Sequence, residues 1–400
     1  ADLLTGSVHD IQVQNTLSDF GPEFVGQWFP DYNPNPNASI DPQKFGPTSI
    51  PDSLKAKDPF SSYLNKITNF EDPIDGLGSN NWVLDGSRTA TGKPLLANDP
   101  HLRLSLPSIW MEMHLVVQGR PVYGVTLPGA PGIIIGMNDA VAWGVTNGTV
   151  DVKDYLAVML TSQHPELFSS GDVKLTDRFG RDSTIAKNSY FSGQGWESLS
   201  YRKETIDIKG APSQSFLIPY TKFGPLLRET VKNQHGENLR LTFQWTGFEP
   251  SNELRSFLLL NKATNVEECL MALSTFKCPP QNFVFADTAG EIAIWQKGLF
   301  PSRKYAMGKW VGDARNPDHL WQGFLPDSIS PCIKNPKRGF LFSANQHPTP
   351  SPYPYAYTGF FELWRNQRIL SRLQNAKQWD FQDMQALQMD SYSEEAATLL

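Results

Sequence analysis

Between Asn81 and Thr146 the chain breaks into strand-length runs divided by turn residues, and this spacing limits the folds open to it. Asn81–Leu84, Pro94–Ala97, Ser108–Val117, Pro121–Thr126, Gly132–Gly136 and Ala140–Thr146 each suit one strand, with a turn at Gly92-Lys93. In Ser108–Val117 the period of two puts Trp110, Glu112, His114 and Val116 on one face, and His114 reads as structural. Further strands fit Lys203–Lys209, Leu239–Trp245, Asn282–Ala286 and Glu291–Gln296, the last two joined by the hairpin turn Asp287-Thr288-Ala289-Gly290. Helical spacing occurs in Ser251–Asn261, Asn265–Phe276, Gln367–Asn375 and Asp380–Met389. Asn265 is placed to cap the second of these, and Glu267-Glu268 suit its first turn. Strands first, then helical blocks with strands between them, predict α+β layering and not a doubly wound parallel sheet.

The part ahead of Ser79 differs. Prolines in segment 28–51 remove backbone donors and fix φ, which predicts an extended surface connector, with a short helix around Pro59–Asn69. No internal repeat is present. With 400 residues, 40% of them hydrophobic and 19% charged, a large core is within reach. A net charge of −6 without a basic run argues against nucleic acid as a partner. The longest apolar runs, Phe257–Leu260 and Ile133–Ile135, fall far short of the roughly 18 residues of a membrane span, so no membrane partner is expected. Cys269, Cys278 and Cys332 are an odd set without a C-x-x-C pair, and they give neither a disulfide framework nor a zinc site. No signal-peptide pattern opens the chain, but its first residue is Ala1 and not Met, so nothing follows about export.

The chemistry centres on Gly78-Ser79-Asn80-Asn81-Trp82. A Gly-Ser pair alone is usually a turn. Here it lies where the proline-rich connector ends and a strand begins. Cleavage between Gly78 and Ser79 would leave Ser79 as a new N-terminus on a rigid strand. A serine hydroxyl needs a base. A free α-amine, with a pKa of roughly 7.7–8.0, can serve as that base for its own side chain. No G-x-S-x-G elbow offers a competing serine.

Ser79-Asn80-Asn81-Trp82 resembles the start of the β-chain in the penicillin acylase family of N-terminal-nucleophile hydrolases. Further blocks follow in the family's order. They are Leu96-Ala97-Asn98-Asp99-Pro100-His101-Leu102, Leu127-Pro128-Gly129-Ala130-Pro131-Gly132, and Gly136-Met137-Asn138-Asp139 with Ala142-Trp143-Gly144-Val145-Thr146-Asn147. Asn282–Asp287, Ser343-Ala344-Asn345-Gln346 and Arg365-Asn366-Gln367-Arg368-Ile369 complete the series, which covers residues 79 to about 390.

The resemblance implies a four-layer αββα fold and hydrolysis of linear amides through an acyl-enzyme on Ser79, after self-cleavage at Gly78–Ser79. It implies an oxyanion hole from the Asn147 N–H and the Asn345 side chain, two neutral donors suited to a tetrahedral intermediate. On residue type alone, Asn147 also suits a turn and Asn345 a cap. His101 matches a position beside the nucleophile, where it would orient the serine, although a buried structural histidine is the competing reading. Arg365 matches an arginine near the site, and Arg368 has nearly the same claim. Leu102, Ile135 and Val145 match acyl-pocket positions. All three are aliphatic, which suits an apolar acyl group better than it fixes a phenylacetyl one.

Asp151, the Lys153 carbonyl and Asp154 match calcium ligands, and oxygen donors from a short loop suit that ion. His347–Phe361 has no Asp to add. No organic cofactor is implied. Members of the family are longer, so residues 1–78 read as the end of an α-chain with its linker and residues 79–400 as a shortened β-chain core. The partner after processing would be the chain's own α-chain. A chain continuous across Gly78–Ser79 is, on this reading, an uncut precursor. Family members of this kind point to a periplasmic or secreted setting. The substrate is expected among N-acyl amides, with acyl-homoserine lactones as one alternative and an inert binding module on the same scaffold as another.

Overall fold

The computed structural model describes residues 64–65, 78–160, 172–176, 182–186, 189–228, 230–233, 238–304, 308, 310–349, 353, 355, 357–359, 361, 364–375 and 378–399. Three sheets carry the site. Their strands are β1 (Leu64–Asn65), β2 (Gly78–Leu84), β3 (Leu95–His101), β4 (Met111–Val117), β5 (Arg120–Thr126), β6 (Ile135–Asn138), β7 (Val141–Asn147) and β8 (Lys153–Val158). They continue as β9 (Thr230–Asn233), β10 (Asn238–Trp245), β11 (Gln281–Asp287), β12 (Ile292–Lys297), β13 (Gly312–Asp313), β14 (Cys332–Lys334) and β15 (Phe340–Ser343). The helices are α1 (Glu253–Leu260), α2 (Val266–Ala272), α3 (Trp364–Leu373), α4 (Phe381–Gln388) and α5 (Glu394–Leu399).

A seven-stranded sheet runs β14-β12-β11-β7-β6-β5-β4, and a three-stranded sheet runs β15-β2-β3. A third has the order β1-β9-β10-β8-β13. Alternation along the strands explains how the first two stack. Every residue of β11 is buried. Phe283 and Phe285 point to one side, where they meet Phe257, Leu260, Val266 and Cys269 of α1 and α2. Val284 and Ala286 point to the other, where they meet Val83 of β2 and Leu341 of β15. The far face of the small sheet, with Trp82, Leu84, Phe340 and Phe342, is covered by Ile369 and Leu373 of α3 and Met384 and Leu387 of α4. The layers are therefore helix, sheet, sheet, helix. Along β11 both faces are buried, so side chains of period two feed an apolar layer on either side. Each fully buried Phe or Leu contributes about 1.5–3 kcal/mol of transfer free energy.

The expected αββα architecture is the one found. The hairpin between β11 and β12 forms at Asp287–Gly290, where Asp287 Oδ1 accepts from the Glu291 N–H and the Gly290 N–H donates to the Asp287 carbonyl. Asn265 caps α2 by accepting from the Glu268 N–H at 2.9 Å. Asp380 and Asp383 close a reciprocal capping box on α4. One expectation fails in position. The strand predicted over Gly132–Gly136 is Ile135–Asn138, because the N–H and carbonyl of Ile133 are taken by the Asn261 side-chain amide at the end of α1. Of the helix expected around Pro59–Asn69 only Leu64–Asn65 is among the described residues, and these two form a strand paired with Asn233 and Lys232. Ladder bonds to a neighbouring strand outweigh a weak helical pattern there. The connector 28–51 lies outside the described residues.

Candidate active site

Ser79 is the second residue of β2, the central strand of the small sheet, and is buried at 6% exposure. Its N–H donates to Asn345 Oδ1 at 2.7 Å, and its hydroxyl donates to the Gly78 carbonyl at 2.6 Å. Asn345 lies two residues past the end of β15, so the β2–β15 ladder, with Asn81 opposite Ser343, carries the asparagine to the serine. The backbone of Asn345 is left-handed, at φ 64°. Asparagine tolerates that region better than most residues.

The amide of Asn345 ties three elements together. Oδ1 also accepts from Arg365 Nη2 at 2.9 Å, and Nδ2 donates to the Asn147 carbonyl at 2.9 Å. The second N–H on Nδ2 has no acceptor among the described residues. Arg365, in the first turn of α3, further donates from Nη1 to the Ser79 carbonyl at 3.0 Å and to Asn80 Oδ1 at 2.6 Å. Arg368 turns away and pairs with Asp390 at 2.9 Å. The structure thus separates the two arginines that sequence could not. A Cβ on residue 78 would come within 2.6 Å of Arg365 Nη2, so glycine leaves room for the guanidinium beside the Gly78–Ser79 bond.

His101 ends β3 opposite Gly78 in the ladder, while Pro100 lies opposite Ser79. Its Nε2 is 2.8 Å from Asp99 Oδ2. In a neutral ring that contact puts the proton on Nε2 and leaves Nδ1 as an acceptor. Asn147 closes β7, opposite Gln281 of β11. Ile135 and Val145 join the apolar cluster of Trp143, Phe283 and Phe257 on the helix side of the large sheet. Leu102 directly follows His101, half-buried and outside that cluster.

Asp151 and Asp154 do come together, but around another side chain, and Lys153 joins them through its N–H to Asp151 Oδ1. Arg303 donates from Nε to Asp154 Oδ2 and from Nη2 to Asp154 Oδ1, both at 2.8 Å. Burial pushes the Asp151 carboxyl well above the usual range, and the Arg303 charge opposes this. Burial likewise works against the Arg303 charge, but Asp154 and Asp151 more than offset it and its pKa lies above the ordinary value. With both oxygens of Asp154 already accepting N–H donors from Arg303 and Trp321, this donor set does not fit calcium.

Three site residues were not singled out from sequence. Asn98 of β3 accepts from the Val145 N–H at 2.7 Å and donates to the carbonyls of Val145 and Asn80 at 3.0 and 2.9 Å, lacing the two sheets together. Gly144 makes this possible, since a Cβ there would sit 2.8 Å from Asn98 Oδ1. Asn282 donates to the Asn147 carbonyl and to Ser343 Oγ at 3.2 and 3.1 Å. The available signal was an amide side chain at a position that is otherwise apolar.

A family model described as penicillin amidase matches residues 1–400. The chain belongs to the penicillin amidase family. Among curated relatives it is 28% identical over 326 residues to an acyl-homoserine lactone acylase, QuiP, of Pseudomonas aeruginosa, covering 79% of this chain and 36% of that protein. It is 27% identical over 324 residues to the penicillin acylase 2 proenzyme of a Pseudomonas species, covering 80% and 38% respectively. The chain therefore spans less than two fifths of the length of these relatives. Among solved structures, the thermostable penicillin G acylase from Alcaligenes faecalis superposes with a TM-score of 0.59 at 22% identity, covering 77% of this chain and 51% of that one. That likeness supports the N-terminal-nucleophile fold assigned above.

Proposed function

We propose that this penicillin amidase family chain is an acylase that hydrolyses linear N-acyl amides through Ser79, once the Gly78–Ser79 bond has been cut. The observation that carries the reading is the contact set of Ser79. Its Oγ lies beside the Gly78 carbonyl while its N–H is held by Asn345.

In the cleavage step the hydroxyl turns from the carbonyl oxygen to the Gly78 carbonyl carbon. A C–O bond forms, the C–N bond breaks, and the nitrogen takes up the hydroxyl proton, leaving an ester and a free α-amine. Water then hydrolyses the ester, giving the Gly78 carboxylate and the Ser79 hydroxyl. With its pKa of roughly 7.7–8.0 in the ordinary case, the amine can accept the hydroxyl proton during attack on substrate. The unengaged N–H on Asn345 Nδ2, with the Asn147 N–H, serves the developing oxyanion. Arg365 holds the Asn345 amide in the orientation that aims Nδ2 toward this space. His101, fixed by Asp99, positions the nucleophile from the neighbouring strand.

Ile135 and Val145 face the helix-side core and Leu102 lies outside it, so these three do not form one acyl pocket. The relatives named as acyl-homoserine lactone acylases put those lactones among the candidate substrates. The processed protein would pair the two pieces of its own chain.

Intact mass and a panel of p-nitroanilides of graded acyl length test the reading together. The unaltered full-length protein should split at Gly78–Ser79 and turn over the panel. Ser79→Ala should remain one chain with no turnover. Two-chain material from Ser79→Ala would remove the cleavage step, and a split protein inert on every amide would favour a binding module.

A further inference from the structure

We infer that the Arg303 guanidinium is a built-in cation. It does for Asp151 and Asp154 what a divalent metal ion would otherwise do, and makes the fold independent of calcium.

The argument begins with the four carboxylate oxygens. Asp154 Oδ1 accepts from Arg303 Nη2 at 2.8 Å. Asp154 Oδ2 accepts from Arg303 Nε at 2.8 Å and from the Trp321 indole N–H at 2.6 Å. Asp151 Oδ1 accepts from the Lys153 backbone N–H at 3.0 Å. Asp151 Oδ2 alone accepts no hydrogen bond among the described residues, and Arg303 Nη2 faces it at 3.8 Å. Calcium takes six to eight oxygens at about 2.3–2.6 Å. To use Asp154 it would have to displace three N–H donors and then sit against a guanidinium of the same sign. One open oxygen on Asp151 is no basis for a site.

The guanidinium also reaches beyond the carboxylates. Nη2 donates to the Asp151 carbonyl at 3.0 Å and Nη1 to Thr358 Oγ1 at 3.2 Å. The Asp151 N–H in turn donates to the Thr358 carbonyl at 2.8 Å. One side chain thus gathers the start of β8, the segment around Thr358 and Trp321, a set of separate segments such as a metal ion would bring together. A planar fork of donors suits this better than an ammonium. Gly308 closes the remaining side at φ 108°, where a Cβ would come within 2.6 Å of Asp151 Oδ2. All three charged side chains are buried, at 4% exposure or less.

The test reads stability and metal uptake, so it stands or falls apart from the amidase reading. The thermal midpoint of the full-length protein should be the same in EDTA as in calcium chloride, and calorimetry should detect no calcium uptake. Arg303→Ala should lower the midpoint sharply and open the space, so that calcium chloride raises its midpoint and calorimetry shows uptake. A chelator-induced fall in the unaltered protein would overturn the inference, as would an Arg303→Ala protein of unchanged stability. No uptake by either protein would reduce Arg303 to an ordinary ion pair and overturn it as well. Should Arg303→Ala fail to fold, the chelator comparison on the unaltered protein decides alone.

Discussion

Asn345 does two jobs that separate cleanly at the level of one residue. Its backbone sits at φ 64°, and its side chain meets Ser79, Arg365 and Asn147. Alanine would disturb both, since a Cβ residue other than Asn or Asp is strained there. Glycine accepts the backbone and removes only the amide. Asn345→Gly should therefore fold, yet lose about 10²–10³ in kcat, the usual cost of one oxyanion donor. Turnover of a graded p-nitroanilide beside a thermal melt checks this, and a folded variant with near-normal kcat would remove Asn345 from the mechanism. Ser79 and Asn345 were singled out in sequence because each lies in a short block with a recognisable order, whereas Arg365 could not be told from Arg368 there. Arg303 was not singled out. In Ser302-Arg303-Lys304 nothing local tells a buried cation from a surface one, and its partners at 151, 154 and 358 are far away in the chain.

Among elements, strands with turn signals were read well and strands without alternation were not. The β11–β12 hairpin carries its turn in Asp287–Gly290, so both its strands and its loop were visible. β8 and β15 are buried on both faces, and Lys153–Val158 and Phe340–Ser343 give no period of two to read. The helices were found through their apolar spacing, and α2 also through its Asn265 cap. What sequence could not supply is how β3 and β7, in different sheets, are joined. Asn98 does this by offering Val145 an amide in place of a neighbouring strand. Asn98→Leu keeps the volume but leaves the Val145 N–H and two carbonyls without these partners. Fully buried backbone groups left without partners cost about 1–3 kcal/mol each, and these three are only partly buried. Urea unfolding should show a loss of about 1–3 kcal/mol in total, and a loss well below 1 kcal/mol would mean that the sheets are held by packing alone.

Along with their apolar faces the layers bury a few titrating groups, and His347 among them gives the molecule a predictable response to acid. His347 lies just past Asn345, buried at 3% exposure, its ring edge-on to Phe361. Nδ1 is 3.0 Å from the Thr349 carbonyl and Nε2 is 3.2 Å from that of Tyr357. Burial pulls its pKa from 6.5 down to about 4, and the two carbonyls only partly resist. The sign follows from proton counting. Above pH 6.5 the ring is neutral in both states and contributes no pH dependence. Between 6.5 and about 4 the unfolded chain takes up a proton that the folded protein refuses, so stability falls as pH falls. The full shift corresponds to roughly 3 kcal/mol. Carboxylates add their own losses in this range, so the informative quantity is a difference. Between about pH 7 and about pH 4, the unaltered protein should lose roughly 3 kcal/mol more of its unfolding free energy than His347→Gln, whose side chain does not titrate. Parallel losses in the two proteins would place the acid sensitivity in other groups and leave His347 as a packing residue.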